Sequence, residues 1–176
     1  IGNSPSVAEL GCGEGIGAGI LAKGRRQYTG FDADRDALAE AKEHHPSLVF
    51  RNLDLTTRPP HSGCHTAVVS LDVIEHIPVE HEARFMGWVV GSLYGGSEAA
   101  NCLAVIGTPN AAFDHLASPQ SKAGHINLYT HDRLLALMRR SFHVVQSFGL
   151  QDTSLHLGHP EARHYLMFCG IGPRRE

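Results

Sequence analysis

A chain of 176 residues, 42% hydrophobic and 19% charged, is about one domain and is long enough to bury a real core. Its net charge of −3 gives no overall pull toward nucleic acid or a membrane surface. No apolar run of about eighteen residues suggests a membrane span, and no charged-then-apolar leader suggests a signal peptide. Cys12, Cys64, Cys102 and Cys169 are widely scattered and form no C-x-x-C pair, so they read as reduced thiols of a cytoplasmic protein.

Val7-Ala8-Glu9-Leu10 reads as a first strand. It runs into Gly11-Cys12-Gly13-Glu14-Gly15, and Ile16, Ala18, Ile20, Leu21 and Ala22 then begin a helix reaching roughly to Lys23. Strand, glycine loop and helix in this order bring backbone close to a nucleotide-like ligand. Two cofactor classes use such an opening. The dinucleotide pattern G-x-G-x-x-G/A fails from Gly11, because position 16 is Ile, but fits from Gly13 through Gly15 to Ala18. S-adenosylmethionine (SAM) carries a sulfonium and no phosphate, so it needs close backbone contact without an anion cradle. Glu9, just before the loop, disfavours a diphosphate and suits a cation. A tight turn that binds nothing is the third possibility.

The pattern acid-x-Gly-x-Gly-x-Gly from Glu9 to Gly15 resembles, in full, the first motif of the class I SAM-dependent methyltransferases. The resemblance implies SAM, with S-adenosylhomocysteine (SAH) as product, lying along Glu9, Gly11, Cys12, Gly13 and Gly15. Gln27–Phe31 is a second strand ending at Asp32, about twenty residues past the loop, where an acid can accept both ribose hydroxyls. Asp32, with Ala33 beside it, takes that role, and Asp34 caps a helix over Arg35–His44 that Pro46 ends. Leu38 and Ala41 face inward on this helix. Leu48–Arg51 is a third strand. Beyond it, the resemblance gives Asp54 the adenine amino group, with the backbone of Leu55 alongside.

Thr66–Leu71 is almost entirely apolar, as a central parallel strand should be. Leu71 and Asp72 at its end complete the expected cofactor set. Asp72-Val73-Ile74-Glu75-His76 then resembles the acid-x-x-Glu-His of the ubiquinone-biosynthesis O-methyltransferases and of the small-RNA 3′-end 2′-O-methyltransferases. Pro78 and Val79 open a helix whose Phe85, Trp88, Val89 and Leu93 form an inward stripe; Gly95 and Gly96 break it. Leu103–Gly107 is a strand, followed by a Thr-Pro-Asn at 108–110 that also recurs in the family. Ala111 to Tyr129 has no clear periodicity and reads as a loop over the site, carrying His125. Thr130 caps a helix with Leu134, Leu135 and Met138 inward. Phe142–Leu150 and His164–Cys169 are strands six and seven. The polar link Gln151 to Pro160, with His156 and His159, lies within reach of the site, while His143 and His164 read as structural.

The expected fold is thus a Rossmann-like three-layer α/β/α sandwich. Its seven-stranded sheet is mostly parallel with an antiparallel strand seven, in one methyltransferase domain over residues 1–176. Helices that usually precede the first strand in this family are expected to lie ahead of Ile1.

Methyl transfer from SAM is an in-line displacement in which the acceptor must be aligned and, if a hydroxyl, deprotonated. Three readings of the Asp72–His76 turn stand open. Asp72, Glu75, His76 and His125 bind a divalent cation, a donor set suited to manganese, zinc or iron(II) more than magnesium. Alternatively His76 or His125 is a general base, with Glu75 beside it, since imidazole titrates near neutral pH. In the third reading the turn is purely structural. The favoured function is methyl transfer to oxygen on a small molecule or glycan, with the base preferred to the metal and nucleic acid disfavoured as a partner. RNA 3′-end methylation with a metal, a non-catalytic SAM-binding or scaffold domain, and a dinucleotide oxidoreductase are the alternatives.

Overall fold

The computed structural model describes residues 4–59, 63–94, 96–151, 154–158, 162 and 164–174. Thirteen regular elements follow the chain. They are β1 (Ser6–Leu10), α1 (Ala18–Ala22), β2 (Gln27–Asp32), α2 (Arg35–His44), β3 (Val49–Asn52), β4 (Ala67–Leu71) and α3 (Glu82–Ser92). After these come β5 (Leu103–Pro109), α4 (Pro119–Gly124), α5 (His131–Ser141), β6 (Phe142–Leu150), β7 (Leu155–Leu157) and β8 (Tyr165–Pro173). The strands form one sheet in the order β3-β2-β1-β4-β5-β8-β6-β7. β1 to β5 are parallel, and β8 inserts antiparallel between β5 and β6. The sheet is therefore the mostly parallel one expected, with one correction. An eighth strand, β7, pairs with β6 through Phe148 and Leu157 inside the polar Gln151–Pro160 link, where no strand was expected. Its three residues are all exposed at the sheet edge, which is why no alternation marks it in the sequence. His159 and Pro160 of that link, and Gly95 of the helix break, lie outside the described residues.

β1 and β4 are buried nearly end to end, as apolar strands covered on both faces should be. The main core joins Ala8, Leu10, Val68 and Ile106 of the central strands to Phe85, Val89, Leu134, Met138 and Phe168. A second cluster packs Ala18, Leu38 and Ala41 of α1 and α2 against Tyr28 and Phe50. Asp34 caps α2 as expected, accepting from the backbone N–H groups of Asp36 and Ala37. Thr130 caps α5, with Leu134 and Met138 buried and Leu135 packed half-buried against the core as expected, and Leu137 buried as well. α1 is shorter than anticipated, because Gly13 to Gly17 is spent on turns and no side chain caps its start. The helix expected from Val79 begins with a 3₁₀ turn, and α3 buries Met86 in addition to the expected stripe; Trp88 packs half-buried against the core and donates to the Thr57 carbonyl. Residues 111–129 hold a 3₁₀ segment (Ala111–Leu116) and α4, two short elements too brief to show a period. Among the described residues no helix is long and apolar enough to cross a membrane.

Candidate active site

A cleft of about 360 Å³ opens beyond the carboxyl ends of β1, β2 and β4, where open α/β sheets bind ligands. Its walls include Gly11, Gly13, Asp32, Ala33, Asp54, Leu55 and Asp72. These are seven of the residues expected to hold cofactor. The glycine loop follows from local sterics. Gly11 has φ 79° and donates to the Phe31 carbonyl at 2.8 Å, and a Cβ there would sit 2.2 Å from Val73 Cγ2. Gly13 has φ 49° and donates to Asp32 Oδ2 at 2.7 Å, and a Cβ there would meet nothing within 4 Å. Asp32 Oδ1 accepts from Asp34 N at 2.9 Å, so one carboxylate fixes both the loop and the turn into α2. Asp54 Oδ1 accepts from Thr56 N and Oγ1 at 2.8 and 2.7 Å, and these bonds hold its carboxyl below the usual range.

Four expected cofactor residues do not line this cleft. Glu9 is buried behind the loop, its carboxylate taking a hydrogen bond from the Tyr28 hydroxyl, and burial holds its carboxyl above the usual range. Its Oε1 lies 2.5 Å from where a Cβ on Gly17 would be, so Glu9 shapes the loop from beneath. Cys12 is buried against Gly30, and burial pushes its thiol up to about 12. A Cβ on Gly15 would meet Ala41 and His45, so that residue faces α2. Leu71 is exposed at the end of β4 and near Gly107. The cleft adds Leu53, Val73 and Ile77, apolar neighbours of the motif residues that carry no chemical signal in sequence.

His76 closes the cleft toward β5. Its Nδ1 lies 2.8 Å from the Gly124 carbonyl oxygen; that oxygen can only accept, so Nδ1 donates, and in the neutral ring Nε2 carries the lone pair. His125 stands with its ring centroid 5.2 Å from that of His76, edge-on at 67°. The segment bearing it is docked by Ile126 N and Asn127 N, each donating to the Glu75 carbonyl at 3.0 Å. Tyr129, at the end of this segment, donates to Glu82, which also binds Arg133 at 2.6 Å. Glu75 is wholly buried, and burial raises its carboxyl; Oε2 accepts from Thr108 Oγ1 at 3.0 Å. Glu75 Oε1 and His125 Nδ1 are buried with no hydrogen-bond partner among the described residues. One ligand atom from each of Glu75, His76 and His125 falls within 4.8 Å of the others. A carboxylate and two imidazoles so placed fit manganese, zinc or iron(II). Asp72, the fourth candidate, stands outside that group.

Asp72 has φ 55°, a left-handed conformation that costs a non-glycine residue strain. Its N–H donates to the Tyr165 hydroxyl at 3.1 Å and to the Gly107 carbonyl at 3.1 Å. Burial raises its carboxyl, opposed by the Tyr165 hydroxyl and the two imidazoles. Tyr165 is invisible to sequence reasoning, since it starts a β-strand in a region with no motif. Gly107 makes room for it, because a Cβ there would sit 2.4 Å from the Tyr165 ring. His164, expected to be structural, is exposed and lines a second cleft with His125.

Residues 7–93 match the model of a methyltransferase domain. Over this stretch the chain is a class I SAM-dependent methyltransferase domain. A probable S-adenosylmethionine-dependent methyltransferase of Mycobacterium tuberculosis is 33% identical over 104 residues, 59% of this chain and 35% of that protein. The chain thus spans about a third of the length of the curated relatives it matches. The methyltransferase domain of bacterial CtHen1-C superposes with a TM-score of 0.74 at 18% identity, covering 97% of this chain and 91% of that one. The N-methyltransferase NodS of Bradyrhizobium japonicum, solved with SAH, gives 0.73 at 15%, covering 97% and 79%. At these identities the solved structures share the methyltransferase fold. SAM is the cofactor of the family. The cleft fits it: Gly13 leaves open the space a side chain would fill, and the carboxylates of Asp32 and Asp54, both acceptors, line the same cleft.

Proposed function

We propose that this chain transfers a methyl group from SAM to an acceptor oxygen on a small molecule or a glycan. The observation that carries the reading is the continuity of one cleft from Gly11 and Gly13 to His76, whose Nε2 keeps its lone pair. SAM supplies a methyl already activated by its sulfonium. Gly11 and Gly13 admit its amino-acid end to the backbone, Asp32 accepts from the ribose hydroxyls, and Asp54 with the backbone of Leu55 receives the adenine edge. His76 Nε2 takes the proton of the acceptor hydroxyl as oxygen attacks carbon. The Asp72 carboxylate, electrostatically coupled to both imidazoles, stabilises the imidazolium that forms.

A second reading has Glu75, His76 and His125 hold a divalent cation that orients the hydroxyl and lowers its pKa. It is favoured by their clustering and by the unpartnered Glu75 Oε1 and His125 Nδ1. RNA 3′-end methylation would belong to this reading, but the net charge of −3 argues against a polyanionic partner. Calorimetric titration with SAH, in EDTA and again in manganese, tests both. One-to-one SAH binding in EDTA, followed by methyl transfer to a hydroxyl acceptor, supports the base. A separate manganese heat lost in His125→Ala supports the cation, and no SAH heat in either buffer refutes the methyltransferase reading.

A further inference from the structure

The geometry points to the second cleft as the acceptor's seat, shaped for the uncharged, hydroxyl-bearing ring of a sugar or polyol. This inference rests on the methyl-transfer reading and names its substrate class. The cleft measures about 240 Å³ and lies between the 3₁₀ segment after β5, the His125 loop and the start of β8. Phe113, Asp114, Leu116, His125, Leu128 and His164 line it. It meets the cofactor cleft at a partition made by two rings, since His76 lines one side and His125 the other, 5.2 Å apart. A hydroxyl presented at that partition is beside both imidazoles.

The lining sets the chemistry. Asn110 is occupied, donating to the Ala162 carbonyl at 2.8 Å and accepting from Ala112 N at 3.1 Å. Asp114 Oδ1 and His125 Nδ1 are not: both are buried without a hydrogen-bond partner among the described residues. Leaving a buried carboxylate oxygen unpaired is costly, and such atoms are rare enough to call for a cause. A carboxylate only accepts, so it is satisfied by hydroxyl donors, while an imidazole serves a hydroxyl in either direction. Asp114 is in neither of the ion pairs formed among the described residues, so its charge opposes a phosphate or carboxylate on the acceptor. Phe113, Leu116 and Leu128 offer apolar surface to the C–H face of a ring, and Leu116 is 60% exposed. The volume falls below the roughly 300–1,000 Å³ of drug-sized pockets, which limits the occupant to about one ring.

The test is saturation-transfer NMR on the chain saturated with SAH. The probes are the methyl glycosides of glucose, mannose and galactose and free myo-inositol, against the corresponding hexose 6-phosphates and glucosamine. At least one neutral ring should bind, with its 6-phosphate weaker by roughly tenfold or more, the ratio that one unfavourable charge contact gives. Asp114→Asn should weaken the neutral ring and narrow its margin over the phosphate, with SAH affinity unchanged as the check on folding. Equal or tighter binding of the phosphate, glucosamine binding roughly tenfold tighter than any neutral ring, or indifference to Asp114→Asn would overturn the inference. Absence of sugar binding while SAH binds overturns this inference alone; absence of SAH binding overturns the methyl-transfer reading with it.

Discussion

Gly13→Ala, set against Gly24→Ala, separates backbone strain from loss of the cofactor. Both glycines have positive φ, 49° and 71°, and at both a new Cβ meets nothing within 4 Å. An alanine forced into the left-handed region costs about 1–2 kcal/mol. For a chain of this size that lowers the melting temperature by about 2–8 °C. The two variants should therefore melt alike. They should not bind alike, because Gly13 lines the cofactor cleft and Gly24, just past the end of α1, does not. The methyl added by Gly13→Ala occupies space claimed for the ligand, and a loss of roughly tenfold or more in SAH affinity, about 1.4 kcal/mol, is expected there and none at Gly24→Ala. Thermal melts and SAH calorimetry on the pair suffice. Equal SAH affinity in the two variants would refute the placement of cofactor along Gly13.

Asp32→Asn should weaken SAH by roughly tenfold, since the acceptor that pins Gly13 N and is assigned the ribose loses its charge; wild-type affinity would show that the ribose lies elsewhere. Burial, partly offset by the Tyr28 hydroxyl, holds the Glu9 carboxyl above its usual 4.5, so the folded chain grips that proton more tightly than the unfolded one. Stability from Glu9 is then fully present below about 4.5 and lost as pH rises through the folded value, so Glu9→Gln should gain on the wild type as melts move from pH 4.5 to 8; a constant gap would contradict this. Burial, with the Arg51 charge adding, lowers the His65 imidazole from 6.5. Its contribution is present above 6.5 and lost as pH falls through the lower folded value, a decline that His65→Asn, read by the same acid titration, should lack.

The cofactor end of the site was legible because its chemistry is local. Gly11, Gly13, Asp32 and Asp34 act within one strand-loop-helix unit and the next strand end, where spacing alone fixes which backbone N–H meets which carboxylate. Glu9 shows the limit of that reasoning. An acid at the end of a strand points to one of two faces, and Tyr28 on the neighbouring strand decided which.

The candidate catalytic end depended on pairings the sequence does not encode at short range. His76 and His125 are both visible as candidates, but their approach depends on the Glu75 carbonyl receiving two N–H groups from the loop and on Gly124 receiving His76. Tyr165 and Asp114 were not visible at all, one on a strand without a motif, the other in a 3₁₀ segment without a period. By itself the sequence determined the α/β order and the parallel core strands, since hydrophobic runs and glycine spacing are local constraints on the backbone; the cofactor class came with the resemblance of the Glu9–Gly15 motif, because the glycine spacing alone also fits a dinucleotide. Only the tertiary structure decided which side chains meet beyond β4 and β5, because β8 returns antiparallel from the far end of the chain and lays Tyr165 over Gly107 against Asp72.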